Sequence, residues 1–525
     1  MGHDNGKAMP SVNSLPKLVL PLFLIVSLFW PAILNHQPFL FNDTTAYVRA
    51  GDMIAVKASG GRLTSEWTQT DGQVPVNTFR TSSGPEAEEQ DYTVKRVNDA
   101  SSGTIMGGRS PYFGAILYLS SLVFNFWSFV VVHALTSYYL IARTTSFFGV
   151  NWLKYRAAIV LFLAVFSSIA FFNGTLLADA LAAFGLLSAM LLIFFFGPAS
   201  LFDRIAFLAL AALSAIAHLT HILVILAIGG AGVILILLPA TRHRISLPGL
   251  VLVFAAAGIG LGSVALTNAV VQHTFGKSPQ LVPLLTARFI GDGPGARFIE
   301  EHCPDAGFAV CDFKGRISTE PNAFLWSPVP GKGVFMIATQ EQRKLLSEQD
   351  KAFALAVLQE YPAAQFGKLL ANTARQFADI QNHILNYDCE RADRCWDAAP
   401  PSVGQRMVAS ISGRRGWPIP LIDTLHYAGV FAALAIFIFV WTRRQHRPDL
   451  TAQAFLGVLL FALLANAFLG GAISEVQGRY QGRVAWLLPM LASILFFQVI
   501  QKGPKARQQV DDQHRFSSIR SRSHG

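Results

Sequence analysis

The chain has 525 residues, 52% of them hydrophobic and 14% charged, with a mean hydropathy of +0.40 and a formal net charge of +10. Soluble domains carry about 25% charged residues, so the composition excludes a water-exposed globule, and with it a nucleic-acid role resting on a soluble basic domain. Apolar stretches of about 17–25 residues, the length that crosses a bilayer, recur instead, and the expected fold is an all-α polytopic membrane protein.

The first such stretch, 18–34, lacks a small-residue cleavage site. Trp30-Pro31-Ala32-Ile33-Leu34 runs straight into His36-Gln37-Pro38, so it reads as a retained anchor. Further spans are expected at 127–142, 157–172, 176–196, 205–221, 222–238, 248–266, 425–441, 451–469 and 484–500. That makes about ten, in a range of nine to twelve, with 111–126 either a further span or an interfacial helix.

Short cytoplasmic turns collect Lys and Arg. With Lys7 and Lys17 inside, the turns holding Arg143, Lys154, Arg156, Arg204, Arg242, Arg244, Arg443, Arg444 and Arg447 fall inside too, as does the tail with Lys502 and Arg522. Both termini are therefore expected in the cytoplasm. The chain then divides into 1–34 (tail and first span), 35–110 (first outer loop), 111–266 (transmembrane bundle), 267–420 (second outer loop), 421–501 (last spans) and 502–525 (a disordered basic tail). Within the first loop, Thr81–Glu89 is poor in apolar residues and reads as mobile. Within the second, 340–380 reads as helix, broken or restarted at Pro362.

All four cysteines, Cys303, Cys311, Cys389 and Cys395, fall in 267–420. An oxidising compartment favours two disulfides there. Local pairs, Cys303–Cys311 and Cys389–Cys395, are expected among the three possible connectivities, with a zinc site as the rival reading.

The candidate chemistry starts at Asp43, in Phe41-Asn42-Asp43-Thr44-Thr45-Ala46-Tyr47, just beyond the first span. A carboxylate at a membrane face is costly, and this one is placed to take a proton from an acceptor hydroxyl. The plainer reading is a helix N-cap. Asp179, at the outer end of the fourth span, is open to three roles: binding a metal, steering a cation, or pairing with an arginine. Arg109, in Gly107-Gly108-Arg109-Ser110-Pro111, suits phosphate recognition or snorkelling to headgroups. Arg479 and Arg483, in Ser474-Glu475-Val476-Gln477-Gly478-Arg479-Tyr480-Gln481-Gly482-Arg483, are placed to clasp a phosphate, unless Glu475 pairs with Arg479. His218 and His221 read as turn or interfacial histidines before metal ligands, and Trp326 as packing before sugar stacking. No Walker loop, dinucleotide GxGxxG, HExxH or GxSxG occurs.

Together these segments resemble the C-type (GT-C) membrane glycosyltransferase superfamily, in the branch of protein mannosyltransferases and lipid A aminoarabinose transferases. The resemblance rests on Phe41-Asn42-Asp43 with Tyr47, Gly108-Arg109-Ser110-Pro111-Tyr112, Leu177-Ala178-Asp179-Ala180-Leu181 and Gln477-Gly478-Arg479-Tyr480. It departs from the mannosyltransferase pattern in having Thr after Asn42-Asp43, where an Asp-Glu pair is common. The resemblance implies inverting transfer of a sugar from a polyprenyl-phosphate donor to a periplasmic glycan, lipid or protein acceptor at a bacterial inner membrane. Asp43 would be the general base. Tyr47, Arg109, Asp179, Arg479, Tyr480 and Arg483 would bind substrate. The resemblance fixes no cofactor and leaves metal dependence open, with a divalent cation at Asp43 and Asp179 possible. The rival classes are a flippase or transporter for lipid-linked sugars, another envelope transferase or ligase, and a non-enzymatic assembly subunit.

Overall fold

A computed structural model describes residues 15–68, 107–276, 278–327, 329–382, 385–389, 395 and 399–501. The polar stretch Thr81–Glu89, Lys7 and the tail 502–525 lie outside the described residues. The described chain is all helical, with one isolated β-bridge, Phe39 to Thr175.

The expected first span is two helices. α1 (Leu15–Ser27) stops at Leu28 and Phe29, and α2 (Trp30–Leu34) restarts with Pro31 in its first turn, where the missing N–H costs nothing. α3 (Asn42–Ala58) then runs against α4 (Pro111–Leu122). The two backbones nearly touch: a Cβ on Gly51 would sit 2.5 Å from the carbonyl oxygen of Gly114, and one on Gly114 would sit 2.5 Å from that of Tyr47. Only glycine permits that approach. α4 does not continue into α5 (Trp127–Phe147). Phe124, Asn125 and Phe126 turn the chain through left-handed backbone, and the two axes differ by 116°.

α6 (Leu153–Phe166) breaks at Ser167 and Ser168 before the short α7 (Ile169–Asn173), and the Ser168 hydroxyl donates to the Gly482 carbonyl. α8 (Asp179–Phe195) is buried along its whole length and forms the axis of the bundle. α9 (Leu201–Ala217) and α10 (Leu219–Leu237) meet at His218, and α11 (Leu247–Phe275) packs across α8, α9 and α10.

The first part of the second loop folds around its own apolar core of Phe289, Phe298, Phe324, Phe335 and Phe353, whereas Leu385, Val403 and Met407 pack into the core of the bundle. The loop comprises α12 (Leu284–Asp292), α13 (Pro294–His302), α14 (Pro321–Trp326), α15 (Gln340–Glu360), α16 (Pro362–Ala378) and α17 (Pro401–Ala409). Pro362 does separate two helices, sitting at the start of α16. The disulfides are the two local pairs, Cys303–Cys311 and Cys389–Cys395. α18 (Ile419–Thr442) and α19 (Leu450–Ala467) follow, the latter extended by a π-turn over Phe468–Ala472, and α20 (Gly478–Gln501) closes the bundle.

Among the described residues, five helices are individually long and apolar enough to cross a membrane: α10, α11, α18, α19 with its π-turn, and α20. The bent pair α4–α5 adds a sixth if it is counted as one broken span. The expected number of about ten also counts α1, α6, α8 and α9, which have 13, 14, 17 and 17 residues. At about 1.5 Å per residue these are shorter than a hydrocarbon core of about 30 Å. The basic turns gather at one end of the bundle. There Arg143 pairs with Asp203 at 2.6 Å, Arg156 reaches Ser146 at 3.3 Å and Arg204 reaches the Phe196 carbonyl at 2.9 Å.

Candidate active site

The opposite end of the bundle holds the acids and arginines singled out in the sequence. Their assembly begins with backbone pairing: the Phe39 N–H donates to Gly174 and the Leu176 N–H donates to Phe39, each at 2.8 Å. This bridge lays the segment before α3 along the segment before α8. The Thr44 hydroxyl tightens it, donating to the Leu176 carbonyl at 2.9 Å and accepting from the Phe41 N–H at 2.9 Å. Asp43 and Asp179 therefore open two helices that start side by side. Asp43 is not the N-cap: α3 begins at Asn42, Phe41 holds the cap position, and Asp43 lies in the first turn with its side chain free for other partners.

The two carboxylates have different surroundings. Asp43 Oδ1 accepts from Arg109 Nη2 at 2.5 Å, and both side chains stay about one-third exposed, at 31% and 37%. Asp179 is buried. It accepts from Arg483 Nη1 at 3.0 Å and lies 3.4 Å from Arg479 Nη1. Arg483 also donates to the side-chain oxygen of Asn466 at 3.0 Å. Aromatic faces position the guanidinium of Arg479, which lies 4.5 Å from the Phe41 ring centre and 4.7 Å from that of Tyr480. Glu475 accepts from Gln477 at 3.0 Å instead of pairing with Arg479.

One feature of the arginines points outward from the protein's own bonding. The Nε–H groups of Arg479 and Arg483 are both buried with no hydrogen-bond partner among the described residues. A buried donor left unmade costs about 1–3 kcal/mol, and an oxyanion ligand would satisfy it.

Tyr47 stands between the two halves. It is buried, packs edge-on against Phe113 at 5.0 Å, and lies within electrostatic reach of Asp43, Arg109, Asp179 and Arg479. Burial first, and the Asp43 charge second, push its phenol well above the usual tyrosine range. It therefore remains a protonated hydrogen-bond donor and is unsuited to act as a base.

All seven residues expected at the site are thus brought to one end of the bundle. His218 lies within electrostatic reach of Asp179, but its Nδ1 bonds Thr220 at 2.8 Å. His221 is buried, with Nδ1 against the Ser214 carbonyl at 3.0 Å. Trp326 packs on the core of the second loop, away from the cluster. Among the described residues no group of three or more His, Cys, Asp or Glu gathers as a metal site would require. The partners of Asp43 and Asp179 in this structure are arginines, which neutralise both carboxylates by charge pairing.

Two residues were missed in the sequence. Asn466 is the single polar side chain in the apolar run 454–473, a signal in its own right. Gln376, on α16, is buried and grips the backbone of Gln477 with both ends of its amide, at 2.8 Å each. Nothing in the local sequence marks it. No family model matches the chain, and no curated protein or solved structure matches it either.

Proposed function

We propose that the chain is an inverting membrane glycosyltransferase that moves a sugar from a polyprenyl-phosphate donor to an acceptor hydroxyl. The observation that carries this reading is one carboxylate about one-third exposed, Asp43, beside two buried arginines, Arg479 and Arg483, whose Nε–H groups have no partner among the described residues, a feature also seen at Arg143, Arg156 and Arg288. A base and a phosphate cradle side by side are what such a transfer needs.

The acceptor oxygen forms the new bond to the anomeric carbon, and the bond from that carbon to the carrier phosphate breaks. The hydroxyl proton passes to Asp43, and the phosphate leaves with one more negative charge than it held in the ester. Attack from the face opposite the leaving group inverts the anomeric centre. Arg479 and Arg483 meet the developing charge, which is where fixed cations lower a barrier most. An exposed ion pair is worth only about 0–1 kcal/mol, so the donor phosphate can draw Arg109 away and free Asp43 for the acceptor. The mechanism assigns no step to a metal.

The charge pattern supports an orientation. The basic turns lie at the end opposite the site, and positive loops stay in the cytoplasm. The site would then face the outer side of a bacterial inner membrane, with envelope glycan, lipid or protein as acceptor.

The test supplies labelled polyprenyl-phosphate sugars to membranes containing or lacking the chain. Label should leave the carrier and arrive in a glycolipid or polymer fraction only where the chain is present, with inverted anomeric configuration. Label that stays on the carrier while the carrier crosses the bilayer would support a flippase and overturn this reading.

A further inference from the structure

A second, differently charged site lies behind the arginine cluster. Between the end of α16 and the start of α18 is an open groove of about 740 Å³, within the range of about 300–1,000 Å³ typical of small-molecule sites. Its walls carry Asn386, Asp388, Arg415, Asp423, Thr424 and Tyr427. Arg415 pairs with Asp388, and Asp423 accepts from Asn382, so the groove carries one carboxylate in excess and is weakly acidic, which disfavours a phosphate. Asn386 is held by the Trp417 backbone and Thr424 by the Pro420 carbonyl, which fixes these groups in place and leaves the second amide N–H and the second lone pairs of the amide, carboxylate and hydroxyl oxygens, beside an aromatic ring, for a neutral, hydroxyl-rich ligand.

The groove shares walls with the candidate active site. One wall is the strap Asp379–Asn382, held by Tyr427, whose hydroxyl donates to the Ala378 carbonyl at 3.0 Å and accepts from the Ile380 N–H at 3.3 Å. Asp423 holds the far end of the strap, accepting from the Asn382 N–H at 3.0 Å. The other face of the strap lies on Gly478, the residue before Arg479. A Cβ there would come within 2.3 Å of the Gln381 carbonyl oxygen. The second wall, at Asn386, adjoins Tyr387, whose hydroxyl accepts from the Leu40 N–H at 2.8 Å, three residues before Asp43.

We propose that this groove is a saccharide-binding subsite that holds the sugar units of a glycan acceptor next to the one that reacts. The two chemistries then divide cleanly. The arginine side takes the anionic donor, and the weakly acidic groove takes the neutral acceptor chain. The inference rests on the transferase reading for the role of the bound sugar but not for its binding.

The experiment titrates the full chain in nanodiscs with linear tetrasaccharides of glucose, mannose, galactose and N-acetylglucosamine, followed by calorimetry and ligand-observed NMR. The variants are Thr424→Trp, which fills the groove, and Asp388→Arg, which reverses its charge. Among the described residues the Thr424 hydroxyl bonds its own helix, at the Pro420 carbonyl, and Asp388, paired with Arg415, is 80% exposed, so both chains should fold. At least one tetrasaccharide should bind wild type. Roughly tenfold weaker binding is expected in Thr424→Trp and a several-fold loss in Asp388→Arg, with no change in Asp43→Asn. In the transfer assay Thr424→Trp should raise the acceptor KM and leave the donor KM unchanged. No binding of any tetrasaccharide to wild type, or equal binding by Thr424→Trp, would overturn the subsite. Intact binding without transfer would instead count against the transferase reading alone.

Discussion

Water separates the roles of Asp43 and Asp179. Asp43 keeps about a third of its side chain in contact with solvent, so its bond to Arg109 is exchangeable. Asp179 is sealed against Arg479 and Arg483, and removing one partner of a buried ion pair costs about 3–5 kcal/mol because the other charge is stranded. Asp179→Ala should therefore lower the unfolding temperature and the yield of folded chain, whereas Asp43→Asn should leave both near wild type. Thermal unfolding in detergent checks this; equal loss from the two variants would contradict the division of roles. At this scale the sequence was informative about charge. An aspartate or arginine beside an apolar segment is conspicuous because it is costly there. The sequence was silent on which acid pairs with which arginine, since Asp179 meets Arg483 across about 300 residues of chain.

At the scale of elements, the site depends on two close contacts of backbone. The bridge between Phe39 and Thr175 registers α3 against α8, and the glycine contact between α3 and α4 sets how far α3 can move. Gly114→Ala would push its Cβ into the Tyr47 carbonyl. Overpacking of this kind costs about 1–3 kcal/mol, and a shift of about 1 Å at a reacting group can lower a rate by about 100-fold. The expected outcome is a folded chain with transfer reduced by one to two orders of magnitude, read in the labelled-donor assay at equal expression. Transfer at the wild-type rate would show that the α3–α4 spacing does not position Asp43. Apolar periodicity located most of these helices, but it merged what the structure breaks. Hydropathy does not register the serines that end α6 or the interruption at Leu28 and Phe29, although the boundary between 111–126 and 127–142 falls at the left-handed turn after α4.

Across the whole molecule, charge and chemistry are segregated. Basic turns occupy one end of the bundle, and the acid–arginine cluster occupies the other, beneath the folded second loop. That loop contributes directly to the site. Gln376 of α16 holds the Gln477 backbone one residue before the helix that carries Arg479 and Arg483. Composition predicted the membrane class, and the clustering of cysteines predicted local disulfides. The path by which the second loop returns to the site was not readable, because long-range docking leaves no periodic trace.

If Asp43 takes the proton of the acceptor hydroxyl, the transfer rate of Asp43→Asn must fall far below that of wild type. Both should be expressed equally, folded, and saturated with a labelled polyprenyl-phosphate sugar that wild type uses. A general base contributes about 100- to 10,000-fold, so a fall of that size is expected, with donor binding retained. A rate within a fewfold of wild type would contradict it and leave Asp43 as no more than the resting partner of Arg109.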